Sequence, residues 1–417
     1  MKADFFMSEK PLASQRLIRN SKSKPVILTF IGNYLPGYKA GGILRTLVNT
    51  VDHLCDEFEF RIVTRDRDLG DDSPYADIKI SQWQKIGEAM VYYLSAQSNT
   101  IKDILNVIDH TRHDVLYLNS FFDLLTIKVL LIRKFLRDTF KPVIVAPRGE
   151  FAWASLRQKY IKKIIYIHVA RLLGLYRRVT WQASSEYEAM DIMKVMKVKY
   201  NEVHMALDLP SKIIPDEMHE VISKPLSGNA DLRIVFLSRI VREKNLDFAL
   251  KVLNKVSSKV FFDIYGPAEN AVYWQECKDL INKLPDNVKV NYFGSVTPGE
   301  VLRIFSRYDL FLFPTGGENY GHVIGEALTV GTPVLISTET PWRNLQTDGL
   351  GWDIDLSHMD SFVETIEQVS LLSPAERLKK RNALKRKIME RLLDPGVLEA
   401  NRQLFREQSN VSYHVSK

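Results

Sequence analysis

Two acidic side chains, Glu318 and Glu326, stand eight positions apart around a glycine-rich stretch, Gly316-Gly317-Glu318-Asn319-Tyr320-Gly321-His322-Val323-Ile324-Gly325-Glu326. The run Leu310–Phe313 before it reads as a strand, and a helix is expected to open near Tyr320 or Gly321, with Glu326 more than two turns inside it. The first turn of a helix leaves amide N–H groups without partners, so Gly321, His322 and Val323 present donors to an anion. Sugar hydroxyls want acceptors, and a carboxylate on either side of such a site supplies them. Taken alone, the pair is equally a helix N-terminal acid and a surface glutamate.

A second cluster removes that reading. Arg239 and Lys244 follow the strand candidate Arg233–Leu237. Two cations at a strand's carboxyl end suit a diphosphate, each charge-assisted bond being worth about 1.5–3 kcal/mol. One ligand with a sugar, a diphosphate and a ribose uses both clusters. Gly266 and Gly294 end two further strand candidates, where a planar base or a ribose could approach the backbone or the chain could simply turn. Gly41 and Gly42 precede a helix beginning near Ile43, a second place for a phosphate. His322 is read as lending its backbone N–H rather than acting as a base. Asp263 and Asp309 read as turn or cap residues, and no Asp-x-Asp follows a strand. No metal and no cofactor are expected.

The elements that must carry these residues alternate strand and helix twice. Strand candidates in the first half are Val26–Ile31, Phe58–Val63, Val91–Leu94, Val115–Leu118, Val143–Val145 and Val179–Gln182. Those in the second are Arg233–Leu237, Val260–Ile264, Val288–Phe293, Leu310–Phe313 and Pro333–Ser337. Continuous apolar strands separated by helices predict a parallel, doubly wound sheet in each half, with ligands beyond the carboxyl ends of the strands. The expected division is an N-terminal domain over 1–208, a Pro-containing linker over 209–230 and a C-terminal domain over 231–399. From about Pro374 the chain should be helical, its last stretch, about 400–417, packing back on the first domain.

Composition narrows the partners. The chain has 417 residues, 45% hydrophobic and 26% charged, with a formal net charge of +7 and two cysteines in no CxxC pair. That is a globular protein of two domains, without a disulfide framework or a cysteine zinc site. The first residues lack the apolar run of a secretory signal, and no eighteen apolar residues run together, so a cytoplasmic protein is expected. No basic run with interleaved aromatics suggests nucleic acid. The segment Arg157 to Tyr166, with Lys159, Lys162 and Lys163, extends to Arg171, Arg177 and Arg178. It reads either as an amphipathic helix that rests on an anionic bilayer or as a plain solvated face.

The motifs ENYGHVIGEALTVGTPV and SRIVREKN resemble those of glycosyltransferase family 4, a retaining family with two facing Rossmann-like domains, the GT-B fold. GNYLPGYKAGGILRTL, VAPRGEFAWASLRQKYIKK, WQASSEYEAM, TPWRNL and GLGWDIDL are similar to a bacterial branch that builds surface polysaccharide. The resemblance implies that Arg239 and Lys244 grip the donor diphosphate, that Glu326 holds the ribose and that Glu318 contacts the donor sugar, which makes Arg239, Lys244 and Glu318 the catalytic set. Backbone at Gly42, Gly321, His322 and Val323 would reach phosphate or sugar, Asn319 and Tyr320 would sit in the same donor loop, and Phe293 with Gly294 would frame the base. Many members carry a histidine after the strand matching Val115–Leu118; here the chain reads Asn119-Ser120-Phe121-Phe122. Asn119, Arg148 and Glu150 are the acceptor-side candidates. The implied partners are a nucleotide-sugar donor, commonly a uridine diphosphate sugar, and a saccharide or lipid-linked saccharide acceptor.

Three other readings compete. A glycosidase would use paired carboxylates but has no need of Arg239 and Lys244. A sugar-nucleotide epimerase shares the GT-B shape and needs no acceptor. An inactive donor-binding scaffold would not be expected to keep Arg239, Lys244, Glu318 and Glu326 together.

Overall fold

A computed structural model describes residues 23–136, 141–212, 231–392 and 394–415. The N-terminal residues read for a secretory signal and most of the expected linker therefore lie outside the described residues.

The first domain is an eight-stranded sheet of β1 (Val26–Phe30), β2 (Glu59–Arg65), β3 (Trp83–Ile86), β4 (Ala89–Leu94), β5 (Val115–Asn119), β6 (Val143–Ala146), β7 (Thr180–Ala183) and β8 (Val203–Met205). Its order is β3-β4-β2-β1-β5-β6-β7-β8. All neighbours are parallel except the β3–β4 hairpin. The second domain is a six-stranded parallel sheet of β9 (Leu232–Leu237), β10 (Val260–Tyr265), β11 (Val288–Gly294), β12 (Leu310–Phe313), β13 (Val334–Ser337) and β14 (Gly351–Ile354), ordered β11-β10-β9-β12-β13-β14. In both sheets the strand order reverses beside the first strand of the domain, which opens a crevice at the carboxyl ends.

Three strands go beyond the sequence reading: β3, β8 and β14. Each lies at a sheet edge, is at most four residues long and carries polar residues. The apolar continuity that marks a covered strand is missing there.

Helices cover both faces of the first sheet. Successive residues of β1 point to opposite sides. Leu28 and Phe30 join the core that contains Trp181, and Ile27 joins the one that contains Leu47 and Tyr117. The last helix, Pro395–Val415, closes the second of these cores although it follows the C-terminal domain in sequence. Phe405 packs edge-on against Tyr117 with ring centres 5.2 Å apart, and against Phe60 at 5.7 Å. The preceding helix, Pro374–Leu392, stays on the second domain, where the buried Arg381 guanidinium donates to the carbonyls of Val330, Tyr308 and Phe305. The chain end thus straps one domain to the other.

Candidate functional site

The loops at the carboxyl ends of the two sheets face each other. On the second domain, Arg239 follows β9 and pairs with Glu269 at 3.2 Å, both side chains partly exposed. Lys244 is more enclosed. Its Nζ donates to Glu318 Oε1 at 2.6 Å and to the Gly317 carbonyl at 3.3 Å. The loop after β12 is held from below, the Glu318 amide donating to the Glu339 carbonyl at 2.9 Å and the Trp342 indole to the Tyr320 carbonyl at 2.6 Å.

The helix that follows is His322–Thr329, with Gly321 as a left-handed N-cap. Glu326 is its fifth residue, little more than one turn inside; the helix opens close to where the sequence places it, but at 3.6 residues per turn six residues do not make two turns, so the expected depth of Glu326 is corrected. His322 and Val323 occupy the first turn, where amides have no intrahelical acceptor.

Gly266 has φ +131°, and a Cβ there would lie 1.8 Å from the Ser238 carbonyl oxygen. Its glycine is therefore required by the close approach of the β9 and β10 loops. Gly294 ends β11 beside Phe293, whose half-exposed ring stacks on Tyr265 at 4.8 Å and 12°.

On the first domain, Gly41 caps the helix Gly42–Leu54 with φ +67°, and Gly42 faces His322 across the cleft. Asn119 and Arg148 end β5 and enter the loop after β6. Arg148 is buried and lies at the centre of a polar network. It donates to Asp208 Oδ1 at 2.9 Å, to Asn119 Oδ1 at 2.9 Å and to the Tyr117 hydroxyl, which itself donates to Gln182 Oε1 at 2.6 Å. Asn119 Nδ2 is buried with no hydrogen-bond partner among the described residues. The Glu150 carboxylate turns to the neighbouring loop, accepting from Ser120 Oγ at 2.7 Å and from the Phe121 and Phe122 amides at 2.5 and 3.1 Å. Burial pushes its pKa up despite those bonds.

Several contacts join the two faces. Asn319 Nδ2 donates to Ser184 Oγ at 2.7 Å, and Ser184 Oγ to Glu188 Oε2 at 2.6 Å. The same Glu188 accepts the Gly149 amide at 2.6 Å, and a Cβ on Gly149 would meet Asn319 at 2.8 Å. Gln158 bonds Glu243. His322 Nε2 lies 2.7 Å from Thr46 Oγ1, and Thr46 Oγ1 donates to Asp208 Oδ2 at 2.7 Å. A hydroxyl has one proton to give. His322 Nε2 must therefore carry the proton that reaches Thr46. Burial, with Arg45 and Arg148 adding to it, lowers the His322 pKa to about 3, so the ring is neutral at ordinary pH. Arg45 Nη2 stands 3.3 Å from Glu326 Oε1.

Arg45, Thr46, Ser184, Glu188 and Asp208 were not among the candidates read from sequence. Arg45 and Thr46 lie three and four residues beyond Gly42, a position that could have marked them. Asp208 stands alone between two leucines and carries no pattern. The basic segment is split as well. Lys162 is exposed, but Lys163 turns inward to the Ser155 carbonyl at 2.8 Å and over the Phe122 ring. Among the described residues, no group of three His, Cys, Asp or Glu side chains is placed to hold a metal ion. A cavity of about 750 Å³ lies away from these loops, between the second sheet and the helix Pro374–Leu392. Two of the arginines lining it, Arg233 and Arg377, already pair with Asp263 and Asp309.

Comparison with known proteins bears on the fold. Residues 219–390 match the family described as Glycosyl transferases group 1. An uncharacterized 41.2 kDa protein from the cps region of Klebsiella pneumoniae is 25% identical over 280 residues, 66% of this chain and 74% of that protein. Three further curated relatives are matched over only 38%, 56% and 52% of their own lengths. Among solved structures, HepE of Anabaena in complex with UDP-glucose superposes with a TM-score of 0.65 at 14% identity, over 92% of this chain and 99% of that one. WaaG, a glycosyltransferase involved in lipopolysaccharide biosynthesis, superposes with a TM-score of 0.63 at 13% identity, over 91% and 98%. The chain is a GT-B protein of two Rossmann-like domains, and its second domain carries the match to glycosyl transferases group 1.

Proposed function

We propose that this chain is a retaining, metal-independent glycosyltransferase that moves a sugar from a nucleotide-sugar donor, a uridine diphosphate sugar first among candidates, to a saccharide or lipid-linked saccharide in surface-polysaccharide assembly. The observation that carries the reading is the gathering of Arg239, the Lys244–Glu318 pair, the first turn of His322–Thr329 and Glu326 on one wall of the cleft. A nucleotide sugar needs that sequence of groups. Two cations and a helix N-terminus meet the diphosphate, one acid meets the sugar and another meets the ribose.

In the transfer, the bond from the anomeric carbon to the diphosphate breaks while the acceptor oxygen bonds on the same face. The acceptor proton passes to the departing phosphate oxygen. Arg239 and Lys244 offset the charge that develops there, and catalysis rests on positioning and electrostatic stabilisation. The names of the relatives support a polysaccharide setting, one from a cps region and one involved in lipopolysaccharide biosynthesis. Incubating the chain with sugar nucleotides and an oligosaccharide acceptor in chelator tests the reading. Nucleoside diphosphate release with an unchanged anomeric configuration is expected. An inverted product, or activity abolished by chelator and restored by Mg²⁺, would contradict it.

The membrane contact belongs to the same proposal. Residues 151–185 contain seven Lys and Arg and no Asp or Glu. Within them the helix Tyr160–Leu172 buries Ile167 and Ala170 and turns Ile161, Ile165 and Leu172 outward, exposed by 73%, 58% and 87%. Apolar side chains one turn apart, flanked by Lys159, Lys162 and Arg171, suit an anionic bilayer surface. No helix among the described residues is long and apolar enough to cross a membrane. Sedimentation with anionic vesicles at low salt should capture the chain, and Ile161→Glu with Ile165→Glu should release it. No capture would leave this face an ordinary surface.

A further inference from the structure

Two helices from opposite domains meet where the nucleotide is read to bind: Gly42–Leu54 and His322–Thr329. Their charged contact is Arg45 Nη2 to Glu326 Oε1 at 3.3 Å, between side chains that are largely enclosed. His322 lies one turn earlier on the Glu326 helix, with Tyr320 before it. Asp208, at the end of the first domain, faces His322 at 3.8 Å and is itself held by Arg148. His322 and Tyr320 are neutral, and Arg148 is taken up by Asp208. Among the described residues, Arg45 is therefore the cation in direct contact with Glu326.

Chemistry gives that contact a purpose. An ionised carboxylate is an acceptor on both oxygens and matches the two hydroxyl donors of a ribose. Once protonated, it loses an acceptor and the strength of a charge-assisted bond. Burial raises the Glu326 pKa above the ordinary carboxylate value, and Arg45 offsets part of that rise. With Arg45 on Oε1, the second oxygen and the remaining lone pairs stay available.

We propose that Arg45 is a positioning residue for the nucleotide: from the first domain it keeps the Glu326 carboxylate ionised and aimed, so that ribose capture depends on closure of the two domains. The proposal rests on the reading of Glu326 as the acid that holds the ribose. A strut that only joins the domains would need no ionised partner at the ligand, and the two roles differ in their response to pH.

The test is calorimetric titration of the full chain with whichever of UDP, GDP, dTDP and ADP the wild type binds most tightly. It is run between about pH 6 and about pH 8.5 on wild type, Arg45→Gln, Arg45→Lys and Glu326→Gln. Affinities are read as ratios to wild type, which cancels protonation of the nucleotide, and circular dichroism checks folding. Arg45→Gln should bind about tenfold more weakly at the acid end and recover towards wild type at the alkaline end, while Arg45→Lys shows no such trend. An Arg45→Gln ratio that is the same at every pH would overturn the proposal and make Arg45 a strut. Glu326→Gln distinguishes the two levels. A loss that does not vary with pH supports the ribose reading whatever Arg45 does. Wild-type affinity in Glu326→Gln, or no nucleotide bound by wild type, overturns that reading and the proposal together.

Discussion

The two walls of the cleft hold their charges differently. On the proposed donor wall, Arg239 is partly exposed and paired with a partly exposed Glu269, and the more enclosed Lys244–Glu318 pair borders the loop that would receive the sugar. On the facing wall, Arg148 and Asp208 are both buried, and Arg148 also bonds Asn119 and Tyr117. Exposed pairs contribute little to stability and exchange partners readily. Buried ones are costly to disturb, because removing one member strands the other. On the proposed donor wall Arg239 can therefore change partner for a charged ligand, whereas the facing wall holds its own shape.

Substitutions can break that contrast. Asp208→Ala should have the largest effect, about 3–5 kcal/mol of folding stability in urea denaturation, since it leaves Arg148 buried and unpaired. A loss below about 1 kcal/mol would mean the pair is not what holds this wall. Lys244→Ala should lower kcat/KM by the equivalent of about 1.5–3 kcal/mol, read from steady-state rates. A loss under about tenfold would make it a bystander. Arg239→Ala sharpens the comparison further, with kcat/KM falling while stability changes by less than about 1 kcal/mol. A stability loss matching that of Asp208→Ala would erase the distinction between the walls.

The buried groups of the cleft also predict a pH dependence. His322 is held neutral with a pKa of about 3 against an ordinary 6.5, so the folded chain binds fewer protons than the unfolded one between those values. Its contribution to stability is present above about pH 6.5 and is lost as pH falls towards 3. Denaturation midpoints should therefore drop with acid across that window, and more shallowly in His322→Asn. Equal slopes would mean that the ring does not stay neutral in the folded chain.

The residues of the proposed donor wall could be nominated from sequence because they lie close together in it. Gly321, His322 and Glu326 belong to one loop and helix, and Arg239 and Lys244 to one turn after β9. Periodicity and helix-end physics reach that far. The facing wall draws on Arg45, Thr46, Ser184, Glu188 and Asp208 beside the nominated Asn119 and Arg148, one or two from each strand end and the loop or helix that follows it. Only the strand order brings those loops together, and each residue alone resembles an ordinary polar side chain. The two sheets could be read from their covered apolar strands, whereas β3, β8 and β14 lie at edges where that signal fades.

The most direct test of the central claim is thermal stabilisation by UDP, GDP, dTDP, ADP and their sugars, with chelator present, on wild type, Glu326→Ala and Arg239→Ala. The account predicts that one nucleotide raises the melting temperature of wild type selectively and that both substitutions weaken the rise. Equal stabilisation of all three proteins, or none by any nucleotide, would contradict a donor site on this wall.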